Sequence, residues 1–151
     1  MGVLCLGRVG DETMDVSDET NPLVGEAGDD KLQGSDGQFV LHGGDGHDTL
    51  FGEEGNDRLY GGLGDDTIYG SVWNDAGSDN KDRAMFDGNF SDFSFESGTY
   101  FDSNRGQDVT WLAVTDAANG GRDGYYEGRD MLIDIDLLVF ADQTVAFDDL
   151  L

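Results

Sequence analysis

The sequence predicts an all-β chain: a right-handed parallel β-roll with two nine-residue units per coil, followed by a β-rich C-terminal cap. Three observations predict it. From Gly25 the chain reads GEAGDDKLQ, GSDGQFVLH, GGDGHDTLF, GEEGNDRLY and GGLGDDTIY, five units in succession without an insertion. Within a unit, glycines and acidic turn formers crowd the first six places and one apolar residue stands at place eight, a pattern of repeated turn and short strand rather than helix. Beyond residue 78 the period stops and longer stretches of alternating apolar and polar residues take over.

The units are justified in order along the chain. GRVGDETMD, residues 7–15, keeps glycine at places one and four, an acid at six and an apolar residue at eight. VSDETNPLV, residues 16–24, keeps only Leu23 at place eight. GSVWNDAGS, residues 70–78, retains Gly70 and Asp75 but puts Trp73 at place four and Gly77 at place eight. Places seven to nine make a short strand whose middle residue points inward, because successive side chains alternate faces. With two units per coil, each turn stacks on the turn two units away. Met14, Leu32, Leu50 and Ile68 then line the inside of one wall, and Leu23, Leu41 and Leu59 the inside of the other.

The second half reads as ordinary strands: DRAMFDG, FSDFSFES, DVTWLAVTD and EGRDMLIDIDLLVFADQTVAF. Its aromatic content suits a cap over the last coil, which a repeat protein needs to shield its end. The expected organisation is a lead over residues 1–6, a roll over 7–78 and a cap over 79–151.

Charge constrains the partners. The chain of 151 residues carries 33 acidic and 8 basic side chains, a formal net charge of -25. It repels phosphate backbones and anionic surfaces, so nucleic acid is excluded as a partner and cations are favoured. In a stacked roll the acids at place six lie about 4.8 Å apart along each edge, which opposes folding unless a cation intervenes. A single Cys, Cys5, leaves no disulfide within the chain. The N-terminal residues lack the features of a Sec leader, and no apolar run is long enough for a membrane span.

The units match G-G-x-G-x-D-x-U-x, and over residues 7–78 the chain resembles the RTX, or haemolysin-type, calcium-binding repeat family. EGRDMLIDIDLLVFADQTV, residues 127–145, resembles the closing segment of bacterial chains of that type, and the final Asp148, Asp149, Leu150 and Leu151 resemble the uncleaved C-terminal signal of type I secretion. The resemblance implies a calcium ion between stacked turns, taking carbonyls of places two and four and the Asp of the earlier turn, and carbonyls of places one and three and the Asp of the later one. Carried onto this chain, one site joins Gly44, Gly46 and Asp48 to Gly61, Leu63 and Asp66; a second joins Glu26, Gly28 and Asp30 to Gly43, Asp45 and Asp48. A third joins Arg8, Gly10 and Glu12 to Gly25, Ala27 and Asp30, departing from the pattern in its longer Glu and its Arg. On the other edge place six reads Asn21, Phe39, Asp57 and Asp75, leaving the pair Asp57 and Asp75. The expected load is about three or four calcium ions.

No catalytic constellation accompanies these sites. His42 and His47 stand at outward places and fit no zinc signature, and neither a nucleophile elbow nor a phosphate loop is present. The expected role is a non-enzymatic, calcium-folded module of a secreted bacterial protein, located outside the cell or at its surface. The alternatives are a polysaccharide-binding or adhesive appendage, for which Phe51, Tyr60 and Tyr69 offer outward aromatic rings, a unit that assembles with copies of itself, and the end of a larger protease, lipase or epimerase with a covalently attached N-terminal domain.

Overall fold

The computed structural model describes residues 5–15, 22–71, 81–116 and 128–151. Its strands are β1 (Cys5–Leu6), β2 (Thr13–Asp15), β3 (Leu23–Ala27), β4 (Lys31–Gln33), β5 (Val40–Asp45), β6 (Thr49–Phe51), β7 (Arg58–Leu63), β8 (Thr67–Tyr69), β9 (Arg83–Met85), β10 (Phe93–Asp102), β11 (Gln107–Asp116), β12 (Arg129–Ile133), β13 (Leu137–Val139) and β14 (Thr144–Ala146). They form two sheets, ordered β1-β3-β5-β7-β9-β13-β14 and β10-β11-β12-β8-β6-β4-β2. The repeat strands alternate between the sheets and pair in parallel with the strand one coil away, which is the architecture of a parallel β-roll.

The register is the one the period implies. Met14 lies beside Leu32, Leu32 beside Leu50 and Leu50 beside Ile68 in one sheet. In the other, Leu23 lies beside Leu41 and Leu41 beside Leu59. Leu32, Leu41, Leu50 and Leu59 have no solvent exposure, so each interior rung contributes a fully buried aliphatic side chain, about 1.5–3 kcal/mol. The core is one residue wide per wall, and it reaches its full depth only by stacking.

Both sheets continue beyond the expected boundary at residue 78. β9 pairs in parallel with β7, setting Ala84 beside Leu59, and β13 pairs with β9, setting Leu138 beside Ala84. On the opposite wall β12 pairs in parallel with β8, setting Leu132 beside Ile68. DRAM, DMLI and DLLV thus repeat the last four places of a nonapeptide, acid then outward, inward and outward residues, although the stretches between them break the period. They extend the roll, where the sequence alone suggests plain cap strands.

The antiparallel hairpin β10–β11 follows as the outer part of the second sheet, with β11 pairing to β12. Its approach is packed by aromatic rings: Phe140 lies 5.2 Å from Phe86, 5.3 Å from Phe90 and 5.3 Å from Phe93, centroid to centroid. At the hairpin tip, Asp102 Oδ1 accepts the N–H groups of Asn104 and Arg105, and the Arg105 guanidinium reaches Asp134 and Asp102. The last residues are docked: Phe147–Leu150 forms a 3-10 turn with Phe147 buried, and Leu150 packs on the core.

Leu50→Ala removes an interior rung that has no room to collapse, since its neighbours are held by ladder bonds on both sides. The expected cost is about 2–5 kcal/mol in the calcium-loaded chain, read by chemical denaturation. Val9→Ala, at a side chain 86% exposed, is the control and leaves the midpoint unchanged.

Candidate metal centre

The roll has two edges, each a stack of turns. On the first edge, residues 25–30, 43–48 and 61–66 superpose in register. Place four is glycine with positive φ in each, +134° at Gly28, +149° at Gly46 and +124° at Gly64. A Cβ on Gly46 would stand 2.0 Å from the carbonyl oxygen of Gly28, and one on Gly64 the same distance from that of Gly46. These carbonyls therefore point at the following turn, and only glycine leaves them room. Place two behaves alike: a Cβ on Gly44 would stand 2.0 Å from the Glu26 carbonyl oxygen. Glu26 itself holds φ at +81°, a strained value for a residue with a side chain.

The acid at place six is fixed by one oxygen. Asp30 Oδ1 accepts the N–H of Glu12, Asp48 Oδ1 that of Asp30 and Asp66 Oδ1 that of Asp48, each at 2.8 Å. The three aspartates are 2% exposed, and their Oδ2 atoms are buried without a hydrogen-bond partner. An unsatisfied buried polar atom costs about 1–3 kcal/mol, and more when it carries charge. Here the same cost recurs up a column.

The surroundings of Oδ2 indicate what would satisfy it. The point where a Cβ of Gly43 would stand lies 2.1 Å from Asp48 Oδ2 and 2.5 Å from the Gly61 carbonyl oxygen; at Gly25 the corresponding distances are 2.2 Å to Asp30 Oδ2 and 2.5 Å to the Gly43 carbonyl oxygen. A bare glycine thus leaves a cradle between a carboxylate of one turn and a carbonyl of the next. Among the described residues no three His, Cys, Asp or Glu side chains converge on one point, so a cation here would draw on two carboxylates and several carbonyls. That all-oxygen set suits a hard cation of flexible geometry, calcium above all.

Each residue expected at these sites has a definite place. Gly44, Gly46, Asp48, Gly61 and Asp66 meet between one pair of turns, and Glu26, Gly28, Asp30, Gly43 and Asp48 between the pair before. The place-three carbonyls of Ala27, Asp45 and Leu63 already accept the N–H of Gly10, Gly28 and Gly46, at 2.6, 2.9 and 2.8 Å, leaving one lone pair each. In the first turn Glu12 turns its Oε2 to the N–H of Arg8 at 3.0 Å, a use of the longer side chain that no Asp of the column shares.

The second edge needs a correction. Asp75 lies outside the described residues, and the position it was expected to fill beside Asp57 is taken by Asp82, whose Oδ1 accepts the Asp57 N–H at 2.9 Å. Asp82 in turn donates its N–H to Asp136 at 2.8 Å. The reason is an insertion: the partner stands 25 residues on instead of 18, so a strict nine-residue count selects the wrong acid. Asp57 is fully buried, its Oδ2 lacks a hydrogen-bond partner, and the cradle at Gly52 lies 2.5 Å from that oxygen and 2.6 Å from the Gly70 carbonyl oxygen. Asp82, Asp130 and Asp136 are the place-six acids that a strict count misses. Their signal was the D-x-U-x tail.

The histidines keep the outward places expected of them, His47 exposed and His42 half-buried. Asp29 Oδ1 accepts the N–H of His47 at 2.9 Å, and His47 Nδ1 accepts that of Asp65 at 3.0 Å, so His47 replaces an acid in a place-five ladder. His42 stacks on Tyr60 with centroids 4.1 Å apart, and burial holds its pKa below the ordinary value against the pull of Asp87.

Burial also pushes the place-six carboxyls up, to about 6 at Asp48 and about 7 at Asp57 and Asp66, with neighbouring acids adding to the rise and the backbone N–H opposing it. Because the folded values exceed the ordinary 3.8, protonation favours the metal-free fold. That contribution is complete below the ordinary value and is lost as pH rises through about 6 to 7. In decalcified buffer the strand signal in circular dichroism is therefore expected to fall between pH 4 and pH 8, whereas with calcium it holds at pH 8. A metal-free signal independent of pH would contradict this.

A family model for the RTX calcium-binding nonapeptide repeat matches residues 15–38 and 42–75, in four copies. No curated protein matches the chain. With the turn geometry, the paired place-six acids and this match in agreement, residues 15–38 and 42–75 of this chain are RTX, haemolysin-type, calcium-binding nonapeptide repeats.

Proposed function

We propose that the chain is a non-enzymatic module whose folding is driven by calcium after export from a calcium-poor cytosol by a type I system. The observation that carries this reading is the column of buried Oδ2 atoms on Asp30, Asp48 and Asp66, with Asp57 on the other edge, none of them hydrogen-bonded. A fold that buries four such atoms is unfavourable at neutral pH without a cation and favourable with one, so metal binding and folding become one equilibrium. The net charge of -25 acts in the same direction, since self-repulsion keeps the metal-free chain expanded. Outside the cell, calcium near the millimolar level that extracellular modules use reverses the balance. Among the described residues no helix is long and apolar enough to cross a membrane.

Circular dichroism of the full chain with calcium and with EGTA tests the proposal. Strand content that is the same in both at pH 7.5 would end it. The edge geometry adds a finer expectation. Asp48 stands between Asp30 and Asp66, so Asp48→Ala loses two ions, whereas Asp57 has Phe39 on one side and Asp82 on the other, so Asp57→Ala loses one. Native mass spectrometry against calcium counts them.

A further inference from the structure

On the first edge the stack of turns runs past the last unbroken nonapeptide. Asp66 donates its N–H to Asp130 Oδ1 at 3.0 Å, as Asp48 does to Asp66, and the N–H of Met131 reaches the Asp66 carbonyl at 2.8 Å, as that of Thr67 reaches Asp48. Arg129 donates to Asp65 Oδ1 at 2.9 Å, continuing the place-five ladder. Gly128 holds φ at +86°, and a Cβ there would stand 1.9 Å from the Gly64 carbonyl oxygen, the relation that Gly64 bears to Gly46. Residues 128–130 thus occupy places four to six of a further turn. Its beginning comes from elsewhere. Phe86 donates its N–H to the Val139 carbonyl at 2.9 Å, the bond that the place-one residue Gly52 makes to Tyr69. One turn is therefore assembled from two segments, with the whole hairpin β10–β11 inserted between them.

We propose that the gap between residues 61–66 and this split turn holds a further calcium ion, bound by Asp66 and Asp130, and that the ion ties the hairpin-bearing end of the chain to the repeat array. The inference rests on the reading of place six as a calcium ligand. Its independent support is Asp66 Oδ2, on a side chain 2% exposed and without a hydrogen-bond partner. In the turns before, the corresponding oxygen shares its glycine cradle with the carbonyl of the following turn, so Asp66 Oδ2 faces forward to Asp130. The Gly64 carbonyl also points across the gap.

The gap is more open on its place-one side than those before it. At Gly61 the three nearest atoms to a Cβ all belong to Asp66, so nothing of the next turn comes within the 2.5 Å found at Gly25 and Gly43. A cavity of about 240 Å³ adjoins the split turn, lined by His42, Tyr60, Gly62, Phe86, Asp87 and Asp130. An ion in this gap keeps coordination positions for water, which calcium accommodates, and it fills at a calcium concentration no lower than the interior sites require.

The test uses the full chain and Asp130→Asn, which keeps an oxygen to accept the Asp66 N–H but removes the charge. Native mass spectrometry and calorimetry with calcium chloride are expected to show one ion fewer per chain and the remaining ions retained. An unchanged ion count and titration would overturn the proposal. Should the variant fail to fold, the parent decides by hydrogen exchange: residues 129–133 gain protection when calcium is added, and no gain there while residues 43–51 gain it would overturn the proposal equally. A parent that binds no calcium at all overturns the calcium reading of the repeats and this inference with it, an outcome distinct from a parent that binds calcium with a silent Asp130.

Discussion

The structure depends on how one carboxylate divides its two oxygens. At place six of the nonapeptide, Oδ1 accepts a backbone N–H from the coil before, and Oδ2 is held in a dry cradle facing the coil after. The first contact sets register, because the acid reaches that N–H only when turns stack one coil apart. The second creates a site that a proton or a cation satisfies. Ladder bonds, inward leucines and stacked glycine turns all follow from coils brought to strand spacing, and strand spacing is what places like charges on top of one another. A demand for a cation at neutral pH would thus follow from the same geometry that builds the roll.

The core and the edges differ in what they contribute. Inward rungs are single aliphatic residues, each buried by the rungs on either side, so a lone coil has almost no core. The edges carry net negative charge and glycine turns whose chain entropy opposes ordering. Under the proposed calcium-driven folding neither part would be stable alone, and a bound cation would couple them by turning the repulsive column into a bridged one. The terminal region adds a different resource, the ring cluster around Phe140 and an Arg105 clamp onto Asp102 and Asp134, which are ordinary packing and ion pairing. Contacts between repeat coils span 18 residues, while Asp66 and Asp130 are 64 apart. Closing the longer loop costs more entropy, so the repeat coils can order before the end of the chain docks.

Much of this was legible in the chain because period carries register. A residue at place eight of every ninth position can only be the inward one, and Leu32, Leu41, Leu50 and Leu59 proved so. The first edge was legible for the same reason, Asp30, Asp48 and Asp66 being equally spaced. The second edge was not, since the insertion before Asp82 displaces the partner of Asp57 without altering its surroundings. His47 stands at the outward place its period assigns, and there its imidazole accepts an N–H as Asp29 does one coil earlier.

The sequence by itself determined the repeat unit, the inward ladder and the acid column that suits a hard cation, because each is local: glycine, acid and leucine recur at fixed offsets and stack wherever the period holds. Only the tertiary structure decided where the roll ends and which acids complete its last turns. Asp82, Asp130 and Asp136 join their columns through parallel pairing of β9, β12 and β13 with strands far away in the chain. Such pairing depends on where the intervening hairpin folds back, and the spacing of residues along a chain does not contain that.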